Sequence, residues 1–160
     1  MASPLLTHHD LQQFIDTHRI EATILPLDAH TATVSDAARV LGVLTDQIIK
    51  SLVFSINDTP LLVINNGLAR VDRRKLAKYL GIGRNKVKFA RPDQALEMTG
   101  YVVGSMPPFG HRQPLRTLVD SAVSRQETVY GGGGDINAMM RLTPTVLLSE
   151  TAAGVLDLSE

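Results

Sequence analysis

The chain has 160 residues, is 44% hydrophobic, and balances 16 basic side chains with 16 acidic ones, which excludes a disordered polyelectrolyte and allows a core of its own. It contains no cysteine, so disulfides, thiolate metal sites and a cysteine nucleophile are excluded together. No apolar run reaches membrane-spanning length, and the opening MASPLLTHHD lacks the charged-then-apolar build of a signal peptide; a cytoplasmic protein without a membrane partner is expected.

Thr7 is placed to cap a helix running to about His18, with Leu11, Phe14 and Ile15 at helical spacing. His8, His9 and His18 fall within it. Adjacent histidines point to different helix faces and no carboxylate stands at ligand spacing, so they read as surface residues, and no metal site is expected. Residues 22–27 (ATILPL) read as a short edge strand broken by Pro26, and His30 and Thr31 as a polar link. Thr33 with Asp36 resembles a capping box for a helix through Leu41 that Gly42 closes.

Residues 48–56 (IIKSLVFSI) give the clearest strand. By the two-residue period Lys50 shares a face with Ile48, Leu52, Phe54 and Ile56, and it is the only charge in the strand. Burying an unpaired ammonium there is costly and shifts its pKa. Such a lysine has an anionic or carbonyl partner, or lies close enough to the strand end to snorkel to water. Residues 57–60 (NDTP) read as a hairpin turn into a strand over 61–64, and Asn65-Asn66-Gly67 as a second turn.

Asp72 opens a helix through Leu80 that Gly81 ends. Over 73–91 lie Arg73, Arg74, Lys75, Lys78, Arg84, Lys86, Lys88 and Arg91 with no acid among them, half of all the basic residues. Such a run is either a phosphate-binding face or a solvated surface. A short strand over 87–90 follows, and then a helix from Pro92 that stops before Gly100.

Residues 100–111 (GYVVGSMPPFGH) hold three glycines and two prolines, and cannot continue a helix or a central strand. Tyr101, Val102, Val103, Met106 and Phe109 make the stretch too apolar for a solvated linker. It either lines a ligand with its backbone or is a buried crossover. Strands over 115–119, 127–130 and 138–142 come next, and a last helix with Thr143 as cap and Pro144 in its first turn. Gly131-Gly132-Gly133-Gly134 matches no phosphate-loop pattern. It reads as a flexible connection or a rim giving close backbone access to a ligand, with Asp135 and Asn137 presenting polar side chains into the same space. No serine sits in a nucleophile elbow and no HExxH is present, so any chemistry relies on backbone donors and binding.

The loop GYVVGSMPPFGH, the strand lysine in IIKSLVF, LRTLVD, a glycine-rich turn and RLTP are the motifs that matter together. They resemble the YbaK-like family, free-standing relatives of the editing domain inserted in bacterial prolyl-tRNA synthetase, from about Ile20 to Leu148. The resemblance implies one α/β (α+β type) domain over 1–160, with a mixed, curved sheet flanked by helices. It implies trans-editing: hydrolysis of the ester of a mischarged tRNA carrying a small amino acid, alanine or cysteine among them. The reaction would be substrate-assisted, with no side-chain nucleophile and no cofactor.

In that picture Lys50 and the G-x-x-x-P loop positions Gly104, Ser105 and Pro108 are catalytic, Ser105 without a nucleophilic role. Tyr101, Met106, Pro107, Phe109, Gly110, His111, Asp135 and Asn137 bind substrate. Arg73, Arg74, Lys75, Lys78, Arg84, Lys86 and Lys88 contact tRNA, an assignment that rests on charge alone. An aminoacyl-tRNA synthetase is a second candidate partner. Many relatives have histidine where this chain has Asn137, with Asp135 two residues earlier; asparagine cannot titrate near neutral pH, which bears on specificity. The rival class is a non-catalytic module that binds tRNA or a synthetase through the same loop and basic face; a nucleotide or small-ligand pocket is a third.

Overall fold

Local capping chemistry starts most of the helices. In α1 (His8–His18) Thr7 and Asp10 form a reciprocal capping box, and in α2 (Val34–Leu41) the Thr33 hydroxyl accepts from the Asp36 N–H. Asp72 does the same for Arg74 and Lys75 at the head of α3 (Arg73–Leu80). Pro92 sits at the start of α4 (Pro92–Thr99). Gly42 and Gly81 end α2 and α3 in the left-handed conformation, at φ +70° and +69°. The computed structural model describes residues 4–29, 31 and 33–160; the expected link at His30 lies outside them.

Two sheets form. The hairpin β2 (Ile49–Ile56)–β3 (Thr59–Asn66) turns at Asn57-Asp58, both left-handed, and β4 (Lys88–Phe89) pairs with the far end of β2. On the other side of β3, β5 (Arg116–Asp120) and β8 (Gly154–Leu156) run parallel, giving the order β4-β2-β3-β5-β8. The short α5 (Ser121–Ser124) and then α6 (Pro144–Thr151), with Thr143 as cap, complete the helices. The second sheet is antiparallel, β1 (Thr23–Pro26)–β7 (Ala138–Leu142)–β6 (Val129–Gly132). It meets the first through an isolated bridge between Ile48 and Tyr130. The mixed sheet of the expectation is thus accompanied by a smaller antiparallel one.

The two-residue period divides the core. Ile49 and Val53 join Leu62, Ile64, Tyr101, Val119 and Met140 on one face, with α1 and α6 against them. Phe54, with Leu52 and Ile56 beside it, joins Leu61, Val63, Leu76 and Leu118 on the other, under α3. Among the described residues, no helix is long and apolar enough to cross a membrane.

β3 is longer than expected. Asn65 and Asn66, read as a turn, are buried strand residues, because the fold supplies carbonyls for their amides: Asn66 Nδ2 donates to Asp46 O (2.8 Å) and Asn65 Nδ2 to Ala69 O (3.0 Å). Pro60 is tolerated at the start of β3 because pairing with β5 begins only at Leu61.

Candidate active site

Lys50 keeps the face the period gave it, opposite Asn65 of β3 and beside Leu52 and Phe54. It is half-buried, and its Nζ donates to the Ala69 carbonyl at 2.5 Å. Desolvation pushes its pKa below the usual lysine value. The carbonyl-partner reading of Lys50 therefore describes the structure better than a free, snorkelling lysine.

Lys50 lines a cavity of about 220 Å³. Ser51 and Leu52 continue its wall along β2, and Thr31, Ala37, Val103, Gly104 and Met106 also line it. The hairpin register turns the main-chain groups of Lys50, Leu52, Phe54 and Ile56 toward β3, so those of Ser51 point to the opposite edge. There β4 pairs no further than Phe54, with Ala90 N–H donating to Val53 O (2.9 Å) just beyond it, and β6, which runs alongside β2, forms its one bridge at Ile48. Among the described residues no ladder pairing reaches Ser51 on that edge, and Ser51 lines the cavity.

Gly104 holds φ +97°, and a Cβ built there meets nothing within 4 Å. Glycine is needed at 104 for its backbone angle, not for clearance. Ser105 is buried; its Oγ and its N–H both donate to Val102 O, at 2.8 and 3.0 Å, and its own C=O accepts from Gly134 N–H at 2.9 Å. The hydroxyl is committed within the loop.

His111 Nε2 donates to Pro107 O (2.7 Å). Burial outweighs that bond and lowers the imidazole pKa to about 4. The Tyr101 hydroxyl donates to Gly110 O (3.2 Å), and burial pushes its phenol well above the usual range. Pro108 packs near Gly131, and Phe109 lies in the core. Of the loop, then, Gly104 and Met106 reach the cavity together with Val103, which the sequence reading left without a role. Tyr101, Ser105, Pro107, Pro108, Phe109, Gly110 and His111 hold the loop in shape and do not line the cavity wall.

Asp135 and Asn137 lie elsewhere, in a groove of about 570 Å³ with His8, His9, Ile24 and Leu27. Asp135 accepts from the His8 N–H (3.1 Å), and its carboxylate also meets His8 Nδ1. The carboxylate that meets His8 comes from 127 residues away, while the neighbouring Asp10 is engaged with Thr7. Among the described residues, no group of three or more His, Asp or Glu is gathered for a metal.

The glycine run is also explained by the chain itself. A Cβ on Gly132 would stand 2.1 Å from Met106 O, on Gly133 2.6 Å from the Ala138 carbonyl carbon, and on Gly134 2.7 Å from His8 Cα. These glycines let the chain's own backbone approach, so the run is not a flexible connection, and only Gly132 borders the cavity.

The basic run divides. Arg73 lies over the Phe89 ring (4.9 Å), and Phe89, stacked on Phe54, borders a recess that shares Ser51, Leu52, Val103, Gly104 and Met106 with the cavity. Arg74, Lys78, Arg84, Lys86 and Lys88 are exposed and in no ion pair among the described residues. Lys75 instead donates to Asp157 (2.9 Å) and Ser159 O (2.6 Å), and the Asp157 carboxylate raises its pKa. The run is free of acids in sequence, but the fold brings one to it.

A family model described as the aminoacyl-tRNA editing domain matches residues 28–149. The uncharacterized protein YwhH of Bacillus subtilis (strain 168) is 31% identical over 128 residues, 79% of this chain and 80% of that one. The proline--tRNA ligase of Lactiplantibacillus plantarum (strain ATCC BAA-793 / NCIMB 8826 / WCFS1) is 28% identical over 64% of this chain, which spans only 18% of the ligase. A crystal structure of a "putative trans-editing enzyme for prolyl tRNA synthetase" superposes with a TM-score of 0.87 at 32% identity, covering 96% of each chain.

Proposed function

The chain belongs to the aminoacyl-tRNA editing domain family, and from that premise we propose that it is a trans-editing deacylase. It hydrolyses the ester of a mischarged tRNA carrying a small amino acid. The observation that carries this reading is the convergence of Lys50, the unladdered edge of β2 at Ser51 and the left-handed Gly104 on one cavity of about 220 Å³.

Water attacks the ester carbonyl, and its proton is passed on by water or by the substrate's own neighbouring ribose hydroxyl. The bond to the ribose oxygen breaks, that oxygen takes the proton, and the amino acid leaves. Main-chain N–H groups and the Lys50 ammonium stabilise the negative charge that develops on the carbonyl oxygen. No serine or histidine is assigned to nucleophilic attack, in keeping with the Ser105 hydroxyl bonded to Val102 O and the His111 ring bonded to Pro107 O. Val34, Ala37, Ile48 and Met139 wall the cavity with apolar groups that reject a large side chain far better than a small one. The acceptor end of the tRNA leaves over Phe89 and Arg73, with Arg74 and Lys78 on the same helix; a synthetase that mischarges the tRNA supplies the substrate.

The test is incubation with a panel of aminoacyl-tRNAs. Ester loss above the spontaneous rate for tRNAs bearing small amino acids is expected. tRNA binding with no ester loss for any of them would replace the enzyme with a binding module.

A further inference from the structure

Asn65 stands directly opposite Lys50 in the β2–β3 ladder, on the same face, and is fully buried. Its Nδ2 donates to Ala69 O at 3.0 Å, the same oxygen that accepts from Lys50 Nζ at 2.5 Å. A carbonyl oxygen has two lone pairs, so these two donors saturate it, and amide and ammonium meet on one atom. The other end of the amide, Asn65 Oδ1, is buried without any hydrogen-bond partner. Leaving such an acceptor unpaired is unfavourable, a cost an apolar residue would avoid. Lys50, meanwhile, has ammonium protons to spare and no acidic partner among the described residues.

We propose that Asn65 is a positioning residue for Lys50: the Ala69 carbonyl and the Asn65 amide form a seat that holds the ammonium at the cavity wall. The amide fixes the side of the Ala69 oxygen that the ammonium can reach. The Oδ1 end has no partner, Lys50 Nζ included, so the amide acts on the ammonium through the Ala69 oxygen they share. A hydrogen-bonding amide thereby stands in for the carboxylate that would otherwise trap a lysine in a permanent ion pair, and leaves the ammonium free to share itself with a ligand. The inference rests on the deacylase reading only for what Lys50 does once seated; the seat itself does not depend on the reaction.

The test measures Lys50, not turnover. Acetic anhydride at fixed neutral pH labels the uncharged amine, and peptide mass mapping resolves Lys50 from the exposed Lys78 and Lys88, which serve as internal references. Asn65→Leu removes the amide that fixes the Ala69 oxygen in the seat, and Asn65→Asp puts a carboxylate in its place. Lys50 should label fastest in Asn65→Leu, slower in the parent, and about tenfold slower again in Asn65→Asp, the factor for one pKa unit. Equal Lys50 rates in all three, or the reverse order, overturns the proposal. If Asn65→Asp does not fold, Asn65→Leu decides alone, since an unchanged or slower rate than the parent's would be enough to reject the seat. A parent that deacylates no aminoacyl-tRNA but shows the labelling order sinks the deacylase and keeps the seat; an active parent with flat labelling does the opposite.

Discussion

At Lys50, burial disfavours the charged form while the Ala69 carbonyl holds it. Lys50→Ala should leave the fold in place, because the side chain is only half-buried and its removal frees one carbonyl. Deacylation should fall on the order of a hundredfold, the usual effect of removing an oriented charge that meets the transition state. Turnover close to the parent's in a folded variant would remove Lys50 from the reaction. His111 offers a second measurement at this scale. Its pKa is about 4 when folded, against about 6.5 for a free histidine, so between those values the unfolded chain binds the extra proton. The contribution is complete above pH 6.5 and is lost as pH falls toward 4, about 3 kcal/mol in all. His111→Gln can still donate to Pro107 O but does not titrate. Its Tm should therefore drop less than the parent's between pH 7 and pH 4.5; parallel drops would show that another group sets the acid limit.

The loop over 100–111 separates two kinds of glycine dependence. Gly104→Ala meets open space but must hold a left-handed angle, which costs about 1–2 kcal/mol or is relieved by moving the loop. Turnover should fall while Tm changes by only a few degrees. Gly132→Ala drives a methyl into the Met106 carbonyl, a backbone atom that cannot step aside, so Tm and turnover should fall together. Ser105→Ala removes one bond to Val102 O and should be mild in both; abolished activity there would bring back a serine nucleophile. The starts of α1, α2, α3 and α6 and the faces of β2 were legible in the sequence, because caps and a two-residue period act within a few residues. Asn65-Asn66 were not: asparagine favours turns, and only the fold brings the Asp46 and Ala69 carbonyls to their amides. The same holds for Gly132 to Gly134, whose crowding comes from Met106, Ala138 and His8. Lys50 and Gly104 could be read as candidates from strand pattern and loop composition. The cavity role of Ser51 could not, since it depends on which strands stop short beside it.

Over the whole molecule the formal charge is zero, yet Arg73 of α3 lies over Phe89 at the recess, with the exposed Arg74 next to it in the chain. Arg73→Ala combined with Arg74→Ala should weaken tRNA binding at low salt. It should also reduce the log–log salt slope by a little under one for each phosphate the variant no longer neutralises. Lys75→Ala is the contrast: Asp157 and Ser159 already occupy its ammonium, so Tm should change and the slope should not. A slope unmoved by the arginine pair would put the RNA on another face. The gap beside β2 also bears on how the protein avoids other copies of itself. A bare strand edge ordinarily invites a second chain to add on, the first step toward fibres. Here Ala90 bonds Val53 at one end, β6 runs alongside from its bridge at Ile48 at the other, and Gly104 and Met106 line the cavity with Ser51. What is left admits a small molecule to the main chain of Ser51 but is too short and too enclosed for an incoming polypeptide to lay down a ladder.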